Sequence, residues 1–248
     1  MTPLILLGLL FAGVMAGGLT TVAGLGGGIL MIAGLSLFWA PATVIAVTAP
    51  ALFFGNVSRV ALLRREVDWS LVGRFALTAG PTALVASYLA VKAPAAWLKV
   101  AIAVLLLAFV GQELLKRRPA EGEARVEGHG RTLLAATAGA VSGTVSGLTG
   151  GAGFIATPFF LRLGLGPKPL VATSAACMAL VHLLKGVGFS LNMSLTPALL
   201  PAALVLTVGV LAGNSLGSRL LERLSERRFR QILLGVLTVA ALQLLITA

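Results

Sequence analysis

The chain has 248 residues, of which 58% are hydrophobic and only 11% are charged. A soluble domain carries about 25% charged residues, so the composition excludes a soluble globular protein and indicates a polytopic membrane protein. The net charge of +11 does not indicate nucleic-acid binding, because the basic residues flank hydrophobic segments in the way that fixes membrane topology. The single cysteine, Cys177, excludes an intrachain disulfide and a CxxC redox or zinc site.

The hydrophobic segments form two similar series, which predict an all-α protein. The first series is a glycine-broken run and three spans, over 3–39, 42–63, 71–90 and 97–115. The second is again a broken run and three spans, over 132–165, 170–190, 197–217 and 229–247. Each span approaches the roughly 20 residues needed to cross a bilayer. We therefore predict two transmembrane repeats, 1–115 and 132–248, joined by a polar cytoplasmic connector, 116–131.

Glycines interrupt both broken runs at matching positions. Aligning Gly28 with Gly153 gives an offset of 125 residues. The same offset pairs further residues of the two halves: Gly18 with Gly143, Gly26 with Gly151, and Thr48 with Thr173. In lipid, unwound backbone is tolerated only where it is buried in protein or lines a cavity. Repeats with glycine breaks at corresponding positions therefore indicate the binding site of a transporter.

The basic residues give the predicted topology. Most of them precede span 71–90, lie in the connector, flank the turn before span 170–190, or separate the last two spans. Placing these regions in the cytoplasm satisfies the positive-inside rule and inverts the second repeat relative to the first. Each repeat then crosses the membrane an odd number of times. The simplest arrangement per repeat is a re-entrant helical hairpin plus three transmembrane helices, with both termini outside. A broken run that crosses twice gives the same parity.

The helix starts after the two breaks predict an anion site. Each start leaves unpaired N–H groups and the positive end of a helix dipole, and glycine lets an anion approach the backbone closely. Nearby hydroxyls are suitable donors to an oxyanion. The predicted substrate-binding residues are Thr20, Thr21, Gly24, Gly26, Gly27, Gly28, Thr48, Ser146, Thr149, Gly150, Gly151, Ala152, Gly153, Thr173 and Ser174. The alternative is that these small residues only allow close helix packing.

The distribution of charge within the spans favours anions over cations. All eight acidic residues lie in connectors or at span ends, whereas cation pumps keep carboxylates inside the membrane. Two cations, Arg59 and Lys185, do lie within predicted spans. We predict that they steer anions toward the cavity. The alternative for both is that they snorkel to the interface.

Side chains that can hydrogen-bond or react also occur inside the spans at His182, Asn56, Asn214 and Cys177. We interpret His182, three residues before Lys185, as a satisfied buried polar residue. Asn56 and Asn214 are predicted to form interhelical hydrogen bonds. Cys177 is interpreted as a small packing residue rather than a reactive thiol.

The second repeat has GAGFIATP at 151–158, and the first has GGGILMIA at 26–33. The segment REVDW follows the first full span at 65–69. In these segments the chain resembles the TauE/SafE family of sulfite exporters, in which a GxGGGxxxxP-type motif occurs in both repeats. The first repeat departs from that motif at Ala33, where proline is usual. The resemblance covers essentially the whole chain. It implies a transporter, often an exporter, of sulfite, sulfoacetate, thiosulfate or related organosulfonates.

These features predict a multi-pass protein of the inner (plasma) membrane that binds a small sulfur-containing anion. We expect no cofactor, no metal and no nucleic-acid partner, and the sequence leaves a homo-oligomer open. The rival interpretations are an anion channel and a transporter of a different small organic anion. A membrane enzyme is disfavoured, because the sequence shows neither a metal-ligand cluster nor a nucleophile–base pair.

Overall fold

The structure is a computed structural model that describes residues 2–23, 27–115, 128–151, 153–192, 196–221 and 226–248. Within these ranges the protein is all-helical and contains no strand. The described helices are α1 Pro3–Ala23, α2 Gly27–Ser36, α3 Pro41–Leu63, α4 Trp69–Ala90, α5 Ala95–Leu115, α6 His129–Thr149, α7 Gly153–Arg162, α8 Pro167–Leu191, α9 Leu200–Leu221 and α10 Glu226–Ile246.

Five stretches in the described part of the chain are long and apolar enough to cross a membrane. They belong to α1, α3, α5, α8 and α9, over Pro3–Thr20, Pro41–Glu66, Ala95–Leu115, Pro167–Leu191 and Pro197–Leu216. A span of this kind needs about 20 residues at 1.5 Å per residue. The all-α prediction is therefore confirmed, together with several helices that could span a membrane.

Each broken run forms a long helix followed by a short one. The long helices α1 and α6 have 21 residues each, and the short helices α2 and α7 have 10 residues each. Gly150 ends α6 in the left-handed conformation, with φ of 88°, which favours glycine because no Cβ is present. A 10-residue helix is about 15 Å long and covers half of the hydrocarbon core.

Glycines bring α1 against α9 and α6 against α4. A Cβ placed on Gly13 would lie 2.7 Å from the Leu206 carbonyl oxygen and 3.0 Å from Gly209 Cα. On α6, a Cβ at Gly143 would lie 2.5 Å from the Ala79 carbonyl oxygen. Backbones can approach this closely only where small residues face each other. The small-residue packing therefore joins each long helix of a broken run to a helix of the other half.

The remaining contacts place α3 and α8 at the centre of the molecule. Helix α3 packs against α8 and α9, α8 packs against α3 and α4, and α5 packs against α10. Asn214 joins α9 to α3 by donating to the Gly55 carbonyl oxygen at 3.0 Å and to Ser58 Oγ at 2.9 Å, which confirms its interhelical role. The prediction for Asn56 is wrong, because its amide donates to the Leu52 carbonyl of its own helix at 2.7 Å.

Cys177 is fully buried in a cluster formed by α4, α6, α7 and α8. Its neighbours in this cluster include Phe75, Phe160 and Val181. A small, apolar-like side chain fits such a close-packed cluster. The prediction that Cys177 is a packing residue is therefore confirmed.

Candidate functional site

The two helix breaks meet near the middle of α3. A Cβ placed on Gly28, in the first turn of α2, would lie 2.9 Å from Leu52 Cδ2, and Leu52 is the midpoint of α3. A Cβ placed on Gly151, just before α7, would lie 3.3 Å from Ile29 Cγ1 and 3.9 Å from Ile29 N. The start of α2 and the residues that lead into α7 are therefore in direct contact.

Aliphatic side chains surround the glycines of this junction. A Cβ on Gly150 would lie 2.8 Å from Ile32 Cδ1 and 3.1 Å from Ile45 Cγ1. Gly28 and Gly151 likewise face Leu52, Ile29 and Ile32. Aliphatic side chains thus pack closely around the described break residues, so the side-chain donors for a ligand come from neighbouring helices.

Lys185 of α8 reaches the junction from the interior of the protein. Its side chain is 0% exposed, and its Nζ donates to the Gly150 carbonyl oxygen at 2.6 Å. The alternative of snorkelling to the interface therefore does not apply to Lys185. Among the described residues, Arg131 forms an ion pair with Asp68. No carboxylate in the described part of the chain forms an ion pair with Lys185. A buried ammonium without a counter-charge is unfavourable unless a ligand compensates it.

Two further nitrogen-bearing side chains lie on the helices that cross here, His182 on α8 and Arg59 on α3. His182 is buried, and its Nδ1 has no hydrogen-bond partner in the described structure. Arg59 is half-buried, donates from Nη2 to Asn56 Oδ1 at 2.7 Å, and leaves Nε without a partner. The interpretation of His182 as a satisfied polar residue is therefore wrong for Nδ1.

Hydrogen bonding divides the hydroxyl residues of the candidate site into two groups. Thr20, Thr48 and Thr149 donate to the carbonyl oxygens of Ala16, Val44 and Val145 at 2.6, 2.8 and 2.7 Å. A hydroxyl has one proton, so these three groups have none left for an anion.

The second group keeps its donors. Among the described residues, the buried hydroxyls of Ser142, Ser146 and Ser174 have no hydrogen-bond partner. Such groups require an explanation, because nearly all buried polar atoms in proteins are paired. Two of the three, Ser142 and Ser146, lie one turn apart on α6.

Ser142 and Ser146 continue the row that Ala135 and Ala138 form on one face of α6. Ala135 and Ala138 pack in a cluster with residues of α4, α7 and α8. The row ends at Gly150, whose carbonyl accepts the bond from Lys185. Ser142, which is not among the predicted binding residues, is related to Ser146 by the i, i+4 spacing of one helix face. The bond between Lys185 and Gly150 has no local sequence signal at all.

The structure does not bring Thr173 and Ser174 to the junction. They precede Lys185 on α8 by 12 and 11 residues, which corresponds to roughly 17 Å along the helix. Thr173 Oγ1 instead accepts a hydrogen bond from the backbone N–H of Asp68 at 3.0 Å. Thr48 lies in the first half of α3, whereas Thr173 lies near the start of α8.

The structure does not describe all of the predicted binding residues. Gly24, Gly26 and Ala152 lie outside the described residues, as does the side chain of Thr21. Gly27 and Gly153 are the first residues of α2 and α7. Of the predicted connector, 128–131 are described, and Arg131 pairs with Asp68.

A comparison with protein families matches residues 9–244 to a family described as sulfite exporter TauE/SafE. The match covers nearly the whole chain and includes both helix breaks and the α3–α8 crossing. Searches of curated proteins and of solved structures found no match.

Proposed function

Because the chain belongs to the TauE/SafE sulfite exporter family, we propose that it exports small sulfur-containing anions such as sulfite, sulfoacetate, thiosulfate or organosulfonates. Family membership and several apolar helices make it a multi-pass membrane protein. The inner (plasma) membrane is the proposed location. In this proposal the anion binds where the two helix breaks meet Lys185.

The observation that carries the proposal is the buried ammonium of Lys185. An ionisable residue inside a membrane protein is costly to bury and indicates a functional site by default. Lys185 is 0% exposed and bonded to a neutral carbonyl, so a transported anion supplies the missing counter-charge. The same argument disfavours a cation as substrate.

Neutral donors around Lys185 complete the proposed site. The ammonium has three donors, and one of them is used by Gly150. The free hydroxyls of Ser142 and Ser146 add two more donors from α6. The starts of α2 and α7 meet at this junction, and the first turn of a helix has backbone N–H groups that are not bonded within the helix. Together these groups suit the oxygens of a sulfonate or sulfite.

Pairing of the helices supports two inverted repeats. The contact of α1 with α9 corresponds to that of α6 with α4, and the contact of α3 with α9 corresponds to that of α8 with α4. The contacts of α3 with α8 and of α5 with α10 each join equivalent helices. An exchange of the two halves thus leaves these pairings unchanged, as expected for a pseudo-two-fold axis.

The direction of α1 favours the interpretation in which each broken run crosses twice. Gly13 faces Leu206 and Gly209, while Gly17 faces Val210 and Asn214, so α1 and α9 run parallel and cover the same depth. With 21 residues, α1 is about 31 Å long and can cross alone. Helix α2 and the chain around it then return across the membrane.

A binding screen tests the substrate class. The purified protein is heated with sulfite, thiosulfate, sulfoacetate, a small carboxylate and chloride at matched ionic strength. We expect the sulfur oxyanions to raise the unfolding temperature, because ligands that bind only the folded state stabilise it. A shift confined to the carboxylate would favour a transporter of a different organic anion. Conversion of a labelled sulfonate into a new species would favour an enzyme.

A further inference from the structure

The contacts between α3 and α8 define two ends of their crossing. A Cβ placed on Gly186 would lie 3.8 Å from Ala49 Cβ. Val60, later on α3, packs against the cluster that contains Ala176, earlier on α8. The two helices therefore run antiparallel, and each end of the crossing combines an early part of one helix with a late part of the other.

Arg59 and Lys185 lie at opposite ends of this crossing. Lys185 immediately precedes Gly186, and Arg59 immediately precedes Val60. The two ends are separated by about 16 Å along α3, at 1.5 Å per residue. The bond from Lys185 Nζ to the Gly150 carbonyl holds the ammonium at its own end. A small anion bound at Lys185 is therefore out of reach of Arg59.

The side chain of Arg59 points into the protein and not toward the nearer end of α3. Its Nη2 donates to Asn56 Oδ1 at 2.7 Å, and Asn56, three residues earlier, is only 4% exposed. A snorkelling arginine would extend toward Leu63, where α3 ends. The alternative of snorkelling therefore does not apply to Arg59 either.

Arg59 shares a face of α3 with the residue that contacts the first helix break. Leu52, Asn56 and Arg59 have the spacing i, i+4 and i+7, which places them on one face of the helix. Leu52 contacts Gly28 in the first turn of α2. Each repeat thus has one inward-facing cation on the long helix that follows its own break, and the two cations differ in depth.

The charge of Arg59 is not compensated within the described part of the chain. No carboxylate there forms an ion pair with Arg59, Asn56 is neutral, and the buried Nε has no hydrogen-bond partner. A guanidinium stays charged, and its planar set of donors suits the oxygens of an oxyanion. A cation with a buried, unsatisfied donor is unfavourable unless a ligand pairs with it.

We propose that Arg59 forms a second anion-binding position, separate from the junction at Lys185, so that a transported anion occupies two positions in succession. The inference rests on the proposed anion transport and adds a binding step to it. Arg59 is half-buried, whereas Lys185 is 0% exposed. Water screens a half-buried charge more strongly, so the anion binds less tightly at Arg59 than at Lys185.

Equilibrium dialysis with radiolabelled thiosulfate counts the anions bound per chain. The purified full-length protein and its variants are compared at matched ionic strength. We expect two thiosulfate ions per wild-type chain, the second bound at least tenfold more weakly than the first. Arg59→Gln should bind only the tight ion, with unchanged affinity, and Lys185→Gln should bind only the weak one. The ion that each variant retains shows that the variant is folded.

Two control variants separate a binding role of Arg59 from other effects. Arg59→Lys keeps the cation and should still bind two ions, whereas loss of the second ion in this variant would assign the guanidinium a structural role and overturn the inference. Arg65→Gln removes an exposed cation just beyond α3 and should also bind two ions. Loss of the second ion in Arg65→Gln would show non-specific surface attraction and would likewise overturn it.

The outcomes distinguish the inference from the proposed function. If the wild type binds one thiosulfate ion per chain, the second position is wrong and anion transport still stands. If it binds neither thiosulfate nor any other sulfur oxyanion, the proposed function fails and the inference fails with it.

Discussion

Replacing Lys185 by methionine should change stability and anion binding in opposite directions. Methionine has a similar length and no charge, so it fills the same space without a desolvated ammonium. The lost bond to the Gly150 carbonyl, which is 2.6 Å long, costs about 1.5–3 kcal/mol. The relief of burying an ammonium without a counter-charge is several kcal/mol. The net expectation in anion-free buffer is therefore a protein that is more stable by about 1 kcal/mol.

Anion binding should weaken strongly in the same variant. Removing one partner of a desolvated charge pair costs about 2–5 kcal/mol, which corresponds to a loss of roughly 30-fold to 5,000-fold in affinity. Steering alone needs a cation that acts through water, and full burial of Lys185 favours direct contact over steering.

Thermal unfolding and equilibrium thiosulfate binding measure the two effects. Lys168→Met is the matched control, because Lys168 is exposed in the first turn of the same helix. The control should change neither quantity. A Lys185→Met protein that is less stable than wild type yet binds thiosulfate normally would refute the reasoning and assign Lys185 a structural role.

Three further predictions concern a hydroxyl, a glycine and the topology. Ser146→Ala should weaken anion binding by about 0.5–1.5 kcal/mol in a binding titration. Thr48→Val should not weaken binding, because the Thr48 hydroxyl already donates to the Val44 carbonyl. Equal losses in the two variants would contradict the distinction between free and occupied hydroxyls. Gly150→Ala should lower the unfolding temperature, because φ is 88° and Ile32 and Ile45 leave no room for a Cβ. Gly34→Ala should raise the free energy of unfolding by about 0.5–1 kcal/mol, because a Cβ there would have nothing within 4 Å. A Gly150→Ala protein that is more stable than Gly34→Ala would contradict this prediction. Asn192→Cys should react with an impermeant thiol reagent in intact cells, and reaction only after permeabilisation would contradict the inverted topology.

The positions of the helices follow from the sequence almost completely. The span predicted over 97–115 is α5, Ala95–Leu115, and the span predicted over 170–190 is α8, Pro167–Leu191. A membrane requires contiguous apolar residues with every backbone group satisfied inside the helix, so length and hydropathy determine these elements. Prolines then define the starts, with Pro41 and Pro167 in the first turns of α3 and α8.

The contacts at the site do not follow from the repeat. An offset of 125 residues identifies equivalent residues, but equivalent residues of two antiparallel helices are adjacent only where the helices cross. From the contact of Ala49 with Gly186, that point lies near Gly55. Thr48 is seven residues before it, so Thr48 and its equivalent Thr173 lie about 10 Å on either side.

The role of Lys185 also cannot be predicted from the repeat. Its equivalent by the repeat is Val60, so the second half of the site carries a charge that the first half lacks at that position. Only the tertiary contact with Gly150 reveals where this charge lies. Hydroxyl donors could likewise be listed from sequence, but whether a threonine donates to its own helix depends on its rotamer.

The most direct test of the central claim is accumulation of thiosulfate labelled with radioactive sulfur by proteoliposomes that contain the purified protein. Vesicles are loaded with unlabelled thiosulfate, and entry of external label is followed by filtration. The account predicts transient accumulation of label above its external concentration through exchange. Protein-free vesicles should show none, and the Lys185→Gln protein at the same thiosulfate concentration should show far less. Label that only equilibrates would indicate a channel, and wild-type rates in Lys185→Gln would contradict the assignment of the site.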